Sequence, residues 1–325
     1  MARWPIRFED ALAARNRLRT YLHPTPFRNY ATLDEVVGHG IRVFVKHDNH
    51  HPTNSFKVRN ALSVLSALSP EGRRIGAVAA SRGNHGQGLA WAGQLLGVPV
   101  TICVPVGNNP EKNAAMRGLG AEVIEEGADY DASVAVADRV TRERNARLVH
   151  SSNDAQVIAG AGTATLEMLE QEPELDALVI AIGGGSLAVG AMTVARTLKP
   201  SLEVYGVQAE GASAIFESWK RGEIVVHDRA DTFADGLATR RPYELTFPAL
   251  QDGLRGFVTV SEAELAEAVR VLVKTTHNLA EGAGAAGLAG LVKLRPALAG
   301  KRVGVILSGA NVASDVLARI MNRTL

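Results

Sequence analysis

Short, almost continuously apolar runs alternate along this chain with longer segments in which apolar residues recur every three or four positions. Runs of the first kind are typical of strands buried on both faces, and segments of the second kind are typical of helices. This alternation predicts an α/β protein with parallel or mostly parallel sheets flanked by helices. The predicted strands cover residues 41–46, 76–80, 98–104, 122–125, 177–182, 203–208 and 302–307.

The helical spacing is clearest where a capping residue precedes it. Ser261, followed by Glu262 and Glu264, is one such start. One stretch of the chain contains a strand–helix series of its own, which predicts a small inserted domain, 75–149, within a large domain formed by 1–74 plus 150–325. The predicted helices cover residues 86–96, 110–119, 131–145, 158–170 and 262–275.

Composition and charge exclude several classes of protein. The 325 residues carry 35 basic and 34 acidic side chains, a net charge of +1, and no basic run suited to nucleic acid. Cys103 is the single cysteine, so neither a disulfide framework nor a cysteine metal site is expected. No stretch reaches the ~18 apolar residues of a membrane span, and no secretion signal is evident. A cytoplasmic protein is expected.

Lys57 is the first candidate for chemistry. It follows the turn-forming residues 52–55 and opens a helical pattern, so its ammonium is expected near a helix N-terminus, where the positive end of the dipole lowers its pKa. A lysine of this kind is easily made nucleophilic. Taken alone, the same pattern also fits a plain surface lysine in a first helical turn.

Two further loops follow predicted strands and open helices. The first, 81–88, places small residues where backbone N–H groups can approach an anion such as a substrate carboxylate, although a tight turn with a structural His85 is the alternative. The second contains three consecutive glycines, Gly183 to Gly185, before Ser186 and Leu187, which favours a phosphate cradle over a close-packing turn. It has neither P-loop nor dinucleotide spacing.

A fourth loop, 307–311, again lies at the C-terminal end of an apolar strand and contains the hydroxyl of Ser308. Open α/β sheets bind ligands at that edge, so all four loops can converge on one crevice.

Together the four segments resemble the fold-type II pyridoxal-phosphate (PLP) family, which includes threonine and serine dehydratases, serine racemase, and the cysteine and tryptophan synthases. The resemblance covers nearly the whole chain and implies a two-lobed fold like that of the tryptophan synthase β chain. The family's S-F-K-x-R-G-A, S-x-G-N-H-x-Q, glycine loop and S-G-G-N match 55–61, 81–87, 183–187 and 308–311, with Asn60 and Ala310 replacing glycines.

The resemblance also implies roles for individual residues. Lys57 is the implied catalytic lysine, which forms a Schiff base with PLP, while Asn84 would contact the ring hydroxyl and Ser308 would face the ring nitrogen. The implied substrate-binding residues are Ser81, Arg82, Asn84 and His85. The implied cofactor-binding residues are Phe56, Lys57, Asn84, Gly183, Gly184, Gly185, Ser186, Leu187, Glu281 and Ser308.

The activity implied is that of a dehydratase, or ammonia-lyase, which converts an L-3-hydroxy amino acid to a 2-oxo acid and ammonia. A β-replacement enzyme similar to cysteine synthase is the main alternative, followed by an amino-acid racemase and a non-catalytic phosphate-binding protein. Arg82 occupies the position where racemases of the group carry a second serine, and arginine is a poor general base. The expected partners are an amino-acid substrate and a second copy of the chain in a homodimer.

Two departures from the family pattern bear on metals and on substrate size. Gln208 stands where a glutamate often binds a cation in this group, so no essential metal is expected. The His-rich segment 47–51 is expected to be a polar loop at the active-site entrance rather than a metal site. Such a loop could reshape the pocket for a bulky substrate such as phenylserine.

Overall fold

The computed structural model describes residues 3–325, which form two parallel-rich sheets covered by helices. Seven of the ten strands in the described part of the chain coincide with the predicted ones to within two residues at either end. The strands are β1 Phe27–Asn29, β2 Arg42–Lys46, β3 Ala77–Ala80, β4 Val100–Val104, β5 Glu122–Glu125, β6 Arg147–Leu148, β7 Ala177–Ala181, β8 Glu203–Ala209, β9 Gly256–Val260 and β10 Arg302–Ile306.

All five predicted helices are present, and the capping box at Ser261 is confirmed because its side chain accepts the Glu264 N–H. The helices are α1 Phe8–Leu18, α2 Ala31–Val37, α3 Lys57–Leu65, α4 Pro70–Ile75, α5 Asn84–Leu96, α6 Pro110–Gly118, α7 Tyr130–Arg144, α8 Ala155–Gln171, α9 Ser186–Leu198, α10 Ala214–Arg221, α11 Phe247–Gly253, α12 Glu262–Thr276, α13 Gly282–Leu294 and α14 Ser314–Met321.

The larger sheet has six strands in the order β1-β2-β10-β7-β8-β9. Every neighbouring pair is parallel except β1 with β2, which is antiparallel. Successive residues of one strand face opposite sides, so Val305 and Ile306 enter two different apolar cores. Because both faces are buried, the strands are nearly continuously apolar, as the sequence indicated.

The smaller sheet is wholly parallel, with the order β5-β4-β3-β6, and all its strands lie within 77–148. Ile102 and Cys103 of β4 again enter different cores. Two separate sheets are compatible with the expected domains, 1–74 plus 150–325 and 75–149, although that division itself stays a prediction.

The His-rich segment 47–51 does not lie where the sequence argument put it. His47, Asp48 and His51 are buried, and none of residues 47–51 borders the large cavity that the structure shows among residues 3–325. Asp48 instead accepts two hydrogen bonds from Arg59, from Nε at 3.0 Å and from Nη2 at 2.9 Å. The expectation of a loop at the active-site entrance is therefore wrong. A buried carboxylate needs a charged partner, and Asp48 has that partner, Arg59, in the interior of the protein.

Over residues 3–325, none of the helices is both long enough and apolar enough to traverse a bilayer. In the same residues, no group of three or more His, Cys, Asp or Glu side chains is arranged to hold a metal ion. The absence of an essential metal, the cytoplasmic location and the homodimer remain predictions.

Candidate active site

The four loops singled out in the sequence meet at one cavity of about 970 Å³. Three of them follow the carboxyl ends of β3, β7 and β10, and residues of all three loops border this cavity. Such edges are where open α/β sheets present ligand sites, because the loops that connect strand to helix gather there. The residues of these loops that border the cavity include Phe56, Lys57, Ser81, Arg82, Asn84, His85, Gly183, Gly184, Gly185, Ser186, Leu187 and Ser308.

Lys57 is the first residue of α3, and its loop is fastened to the loop after β10. The Phe56 N–H donates to the Ser308 carbonyl at 2.9 Å, and Ser55 forms an antiparallel bridge with Gly309. The Ala310 N–H donates to the Asn54 carbonyl at 2.9 Å. The lysine and the Ser308 hydroxyl are therefore held on the same wall.

Burial lowers the pKa of Lys57 to about 8, and the nearby Glu281 carboxylate opposes that shift only in part. The Lys57 ammonium lies 4.6 Å from the centre of the Phe56 ring. The sequence predicted a lowered pKa from the helix dipole, whereas the main physical cause is loss of solvation. At pH 7 roughly one tenth of this amine is therefore uncharged, far more than for a lysine with the ordinary pKa of 10.5.

The glycine loop leaves its backbone donors free. In residues 3–325, the N–H groups of Gly183, Gly184, Gly185, Ser186 and Leu187 have no protein acceptor. Gly185 has φ +92°, and a side chain on Gly183 or Gly184 would collide with Gly236 or Ser152. Free amides at the N-terminus of the 13-residue α9 suit a phosphate group, since they supply donors and the positive end of a dipole.

The loop after β3 also leaves backbone N–H groups free, at the start of α5. Ser81 uses its hydroxyl oxygen to accept the N–H groups of Gly83, at 3.2 Å, and of Gly86, at 2.8 Å. Within the described residues, the N–H groups of Asn84 and His85 at the start of α5 have no protein acceptor. They are available to a carboxylate, while the Ser81 hydroxyl mainly shapes the turn.

His85 is a neutral, fixed side chain. Its Nε2 donates to the Val149 carbonyl at 3.0 Å, which leaves Nδ1 as an acceptor without a partner among residues 3–325. Burial, assisted by the positive charge of Lys57, lowers the pKa of His85 to about 3. It therefore contributes an acceptor rather than a charge or an exchangeable proton.

Asn84 and Glu281 form a pair on the Lys57 side of the cavity. The Asn84 amide nitrogen donates to Glu281 Oε1 at 2.6 Å, and its oxygen accepts the Asn311 amide at 2.7 Å. Burial raises the pKa of Glu281, against the effect of the neighbouring cations Lys112 and Lys57. These contacts orient Asn84, whose second N–H remains available to a ligand.

Several residues that border the cavity had no signal in the sequence. His150 accepts the N–H groups of Ser152 and Asn153 through Nδ1, and burial lowers its pKa to about 4. Its ring meets Tyr243 edge-on at 4.7 Å between centroids, and burial raises the pKa of that phenol. Both lie on irregular segments without a periodic pattern, so only tertiary contacts reveal them.

Arg82 borders the cavity but is half exposed, and its Nη2 lies 3.6 Å from Asp235 Oδ1. Lys112 contacts the other oxygen of the same carboxylate. Lys112 and Asp235 are also residues that sequence reasoning missed.

Arg59 lies two positions after Lys57 and is almost completely buried. It donates to Asp48, and to Glu167 on α8 at 2.6 Å from Nη1 and 2.8 Å from Nη2. Lys46 donates to the same Glu167 at 2.6 Å. Two cations and two carboxylates thus join α3, the helix that begins at Lys57, to β2, the turn after it and α8.

These features fit the cofactor that the sequence resemblance implies. The free amides of 183–187 suit its phosphate, and Lys57 is an amine able to bond its aldehyde carbon. Ser308 supplies a neutral hydroxyl near the same wall. Asn60, which replaces a family glycine, is buried inside α3 and does not border the cavity, so it does not obstruct the ring.

Known proteins share this arrangement. The pyridoxal-phosphate dependent enzyme family matches residues 18–309. The chain is 37% identical to an L-threonine ammonia-lyase of Thermotoga maritima over 98% of this chain and 79% of that one. It is 35% identical to an L-threo-3-hydroxyaspartate ammonia-lyase of a Pseudomonas species over 97% and 98%.

A solved structure, the serine racemase of Dictyostelium discoideum, is 32% identical and covers 95% of this chain and 99% of its own, with a TM-score of 0.89. With the matched family and the cavity geometry, this likeness extends to the whole fold. The chain belongs to the pyridoxal-phosphate dependent enzymes, in the fold-type II group of threonine/serine dehydratases and serine racemases, and is a PLP-dependent carbon–oxygen lyase.

Proposed function

We propose that this enzyme is an ammonia-lyase that converts an L-3-hydroxy amino acid of the threonine or 3-hydroxyaspartate type to a 2-oxo acid and ammonia. The substrate loses its Cα hydrogen and its Cβ hydroxyl as water, and a water molecule then replaces the nitrogen, which leaves as ammonia. The observation that carries the proposal is the position of Lys57, an amine with a near-neutral pKa in the same cavity as two sets of free backbone amides.

PLP, when bound, withdraws electrons from the substrate Cα and so makes loss of its proton feasible. The amides of 183–187 hold the phosphate, and the free amides of Asn84 and His85 orient the substrate carboxylate. Ser308 would supply a neutral hydroxyl to the ring nitrogen, and such a partner would leave that nitrogen largely uncharged, which would favour loss of the β-hydroxyl.

Lys57 is the group that takes up the Cα proton. An amine with a pKa of about 8 is a competent general base near neutral pH, because enough of it is unprotonated to accept a proton. His85 and His150 have pKa values of about 3 and 4, so near neutral pH both rings are neutral and are much weaker bases than Lys57.

The other activities differ in what they require of the site. A racemase needs a second proton-transfer group on the opposite face of the substrate, and Arg82 is a guanidinium beside Asp235, which is a poor base. A β-replacement enzyme would bind a second substrate in place of the expelled group. Family membership sets aside the non-catalytic phosphate-binding alternative.

The first test is chemical trapping followed by peptide mapping. Borohydride reduction of the holoenzyme should attach the cofactor irreversibly to the peptide that contains Lys57, and Lys57→Ala should lose both the label and the turnover. Label on another lysine, or full turnover by Lys57→Ala, would refute the proposal. Lys293, a partly exposed lysine paired with Glu264 at 2.9 Å, provides the control variant Lys293→Ala, which should keep both.

The second test compares substrates. We expect 2-oxo acid and ammonia in equal amounts from serine, threonine or 3-hydroxyaspartate, without dependence on added sulfide and without faster formation of the D-enantiomer. Phenylserine belongs in the same panel, although the loop that suggested a bulky substrate is buried away from the cavity. Faster D-amino acid than 2-oxo acid formation would replace the proposal with a racemase.

A further inference from the structure

Two cations on the small-sheet side of the cavity share a single carboxylate. Arg82 follows β3 and Lys112 belongs to α6, and both contact Asp235, which lies in the segment after α10. All three residues border the cavity. In this corner of the cavity, Asp235 offers one carboxylate to two cations, and Lys112 is in addition a charged neighbour of the buried Glu281.

The corner lies against the loop whose free amides suit the substrate carboxylate. The Lys112 ammonium is 3.7 Å from the place that a side-chain carbon would occupy on Gly83, and Lys112 Cδ is 3.2 Å from it. Arg82 and Gly83 directly precede Asn84 and His85, which provide the amides. A substrate held by those amides therefore has its remaining groups within reach of the two cations.

The candidate substrates differ in the Cβ substituent that they would place beside Arg82 and Lys112. Threonine carries a methyl group on Cβ, which gains nothing from a guanidinium or an ammonium. A 3-hydroxy dicarboxylic amino acid carries a second carboxylate, which can accept charge-assisted hydrogen bonds from both cations. The side chain of Lys112 is only 14% exposed, so its interaction with an anion is weakly screened by solvent, whereas that of Arg82 is 50% exposed.

We infer that the substrate is a 3-hydroxy dicarboxylic amino acid of the 3-hydroxyaspartate class, with Arg82 and Lys112 binding its distal carboxylate and Asp235 holding the two cations in place. This inference rests on the proposed ammonia-lyase function and specifies its substrate. The Pseudomonas relative named for that substrate, which matches this chain over nearly its full length, supports the choice.

The main experiment measures the ratio of kcat/KM for L-threo-3-hydroxyaspartate to kcat/KM for L-threonine. The native holoenzyme should prefer the dicarboxylate, and Arg82→Ser should reduce the ratio about tenfold, as expected for loss of one charge-assisted contact. Lys112→Met should reduce it further, because this cation is less exposed. A ratio unchanged in both variants, or a native preference for threonine, would overturn the inference.

Arg117 provides the matched control. It lies on the same helix as Lys112, and its side chain is 50% exposed, like that of Arg82. It pairs with a single carboxylate, Glu125, at 2.5 Å. It does not border the cavity that is defined for residues 3–325. Arg117→Ser should therefore leave the ratio unchanged, and a tenfold fall in this variant would show that the ratio reports surface charge in general.

A binding measurement separates the two proposals. Succinate, a non-reactive dicarboxylate, should bind the holoenzyme at least about tenfold more tightly than butyrate in titration calorimetry. Asp235→Asn should tighten succinate binding, since it removes the competing negative charge, and Lys112→Met should weaken it.

The possible outcomes are distinct. If succinate behaves in this way while no 3-hydroxy amino acid yields a 2-oxo acid, the proposed activity fails and the dicarboxylate subsite stands. If 2-oxo acids form but succinate and butyrate bind equally, the activity stands and the substrate inference fails.

Discussion

At the scale of single residues, the chemistry depends on where water is excluded. Lys57 and His85 both lose solvation at the cavity wall, and in both the charged form is disfavoured, which moves one pKa close to neutrality and the other far below it. The lysine thereby becomes a usable base, and the histidine becomes a neutral acceptor. Identical burial has opposite catalytic consequences because the two side chains start from different ordinary pKa values.

The rate at which cofactor-free enzyme takes up PLP should therefore rise with pH and reach half its maximum near pH 8, rather than near the ordinary lysine value of 10.5. Only the uncharged amine attacks the aldehyde carbon, and its fraction grows as the pH passes through its pKa. The growth of visible absorbance after rapid mixing measures that rate. Glu281→Gln should move the midpoint to lower pH, because the charge that raises the lysine pKa is removed; a midpoint above pH 10 would contradict the assignment.

At the scale of elements, helix ends and buried ion pairs determine how precisely the site is built. The turn before α9 requires glycine because Gly185 has φ +92°, a conformation that costs other residues about 1–2 kcal/mol. A side chain there would also lie 3.0 Å from Leu250 and 3.2 Å from Thr246. The same turn sets the direction of the free N–H groups of 183–187. A change in the backbone at Gly185 should therefore alter cofactor affinity as well as stability.

Gly185→Ala should weaken equilibrium binding of PLP about 5- to 30-fold, because relief of the strain and of the two contacts displaces the amides. Gly222 is a matched control, since it has φ +75° at the end of α10 but no atom within 4 Å of the added carbon. Gly222→Ala should lose a similar amount of stability without loss of cofactor affinity. Spectrophotometric titration of both cofactor-free variants measures the difference, and equal affinities would disprove the link.

The buried ion pairs behind Lys57 supply a second prediction at this scale. Arg59→Leu should lower the free energy of unfolding by about 3–5 kcal/mol, because Asp48 and Glu167 lose their main partner. Urea denaturation of the holoenzyme measures the change. The exposed pair Arg117–Glu125 provides the control: Arg117→Leu should cost no more than about 1 kcal/mol.

Acid should diminish the difference in the free energy of unfolding between the native protein and Arg59→Leu. The cations beside Asp48 and Glu167 lower the pKa values of both carboxyl groups in the folded protein, so their contribution to stability is present above the ordinary carboxyl range. It is lost as the pH falls through the lowered values. A difference between native protein and Arg59→Leu that persisted in strong acid would mean that packing, not charge, dominates.

At the scale of the whole molecule, ion pairs link the small-sheet segment to the chain between α10 and α11 beside the cavity. Arg240 contacts Asp131 and lies 3.5 Å from Asp129, while Asp235 contacts Lys112 and Arg82 from the same stretch. These side chains are partly exposed, so each pair contributes little, and several together restrain the stretch 228–244.

Arg240→Gln should accelerate amide hydrogen exchange in residues 228–244 by up to about fivefold, the equivalent of losing roughly 1 kcal/mol of restraint. Mass spectrometry of the exchanging holoenzyme localises the effect. Arg139→Gln serves as the control, because Arg139 pairs only with Glu126 and Glu143 in the described chain, both near the small sheet. Equal exchange in both variants would show that the ion pairs do not restrain the stretch.

The amino-acid sequence alone determined seven strands, five helices and the loops that face the cavity, because periodicity and capping are local properties. It did not reveal β1, β6 and β9, which are short or lie at sheet edges and depend on a neighbouring strand for their definition. Three of the four motifs place a glycine shortly after the end of a strand, in a loop that borders the cavity.

Only the tertiary structure decided which charged residues pair with one another and which are buried. Lys112 and Asp235 lie 123 positions apart, and nothing near either residue indicates that they meet beside Arg82. The His-rich segment was misread as an entrance loop because its polarity gave no hint that Arg59 would compensate Asp48 in the interior. Burial and charge pairing depend on contacts between distant parts of the chain, whereas strand and helix patterns depend on neighbours in sequence, and this difference separates what could be predicted from what had to be observed.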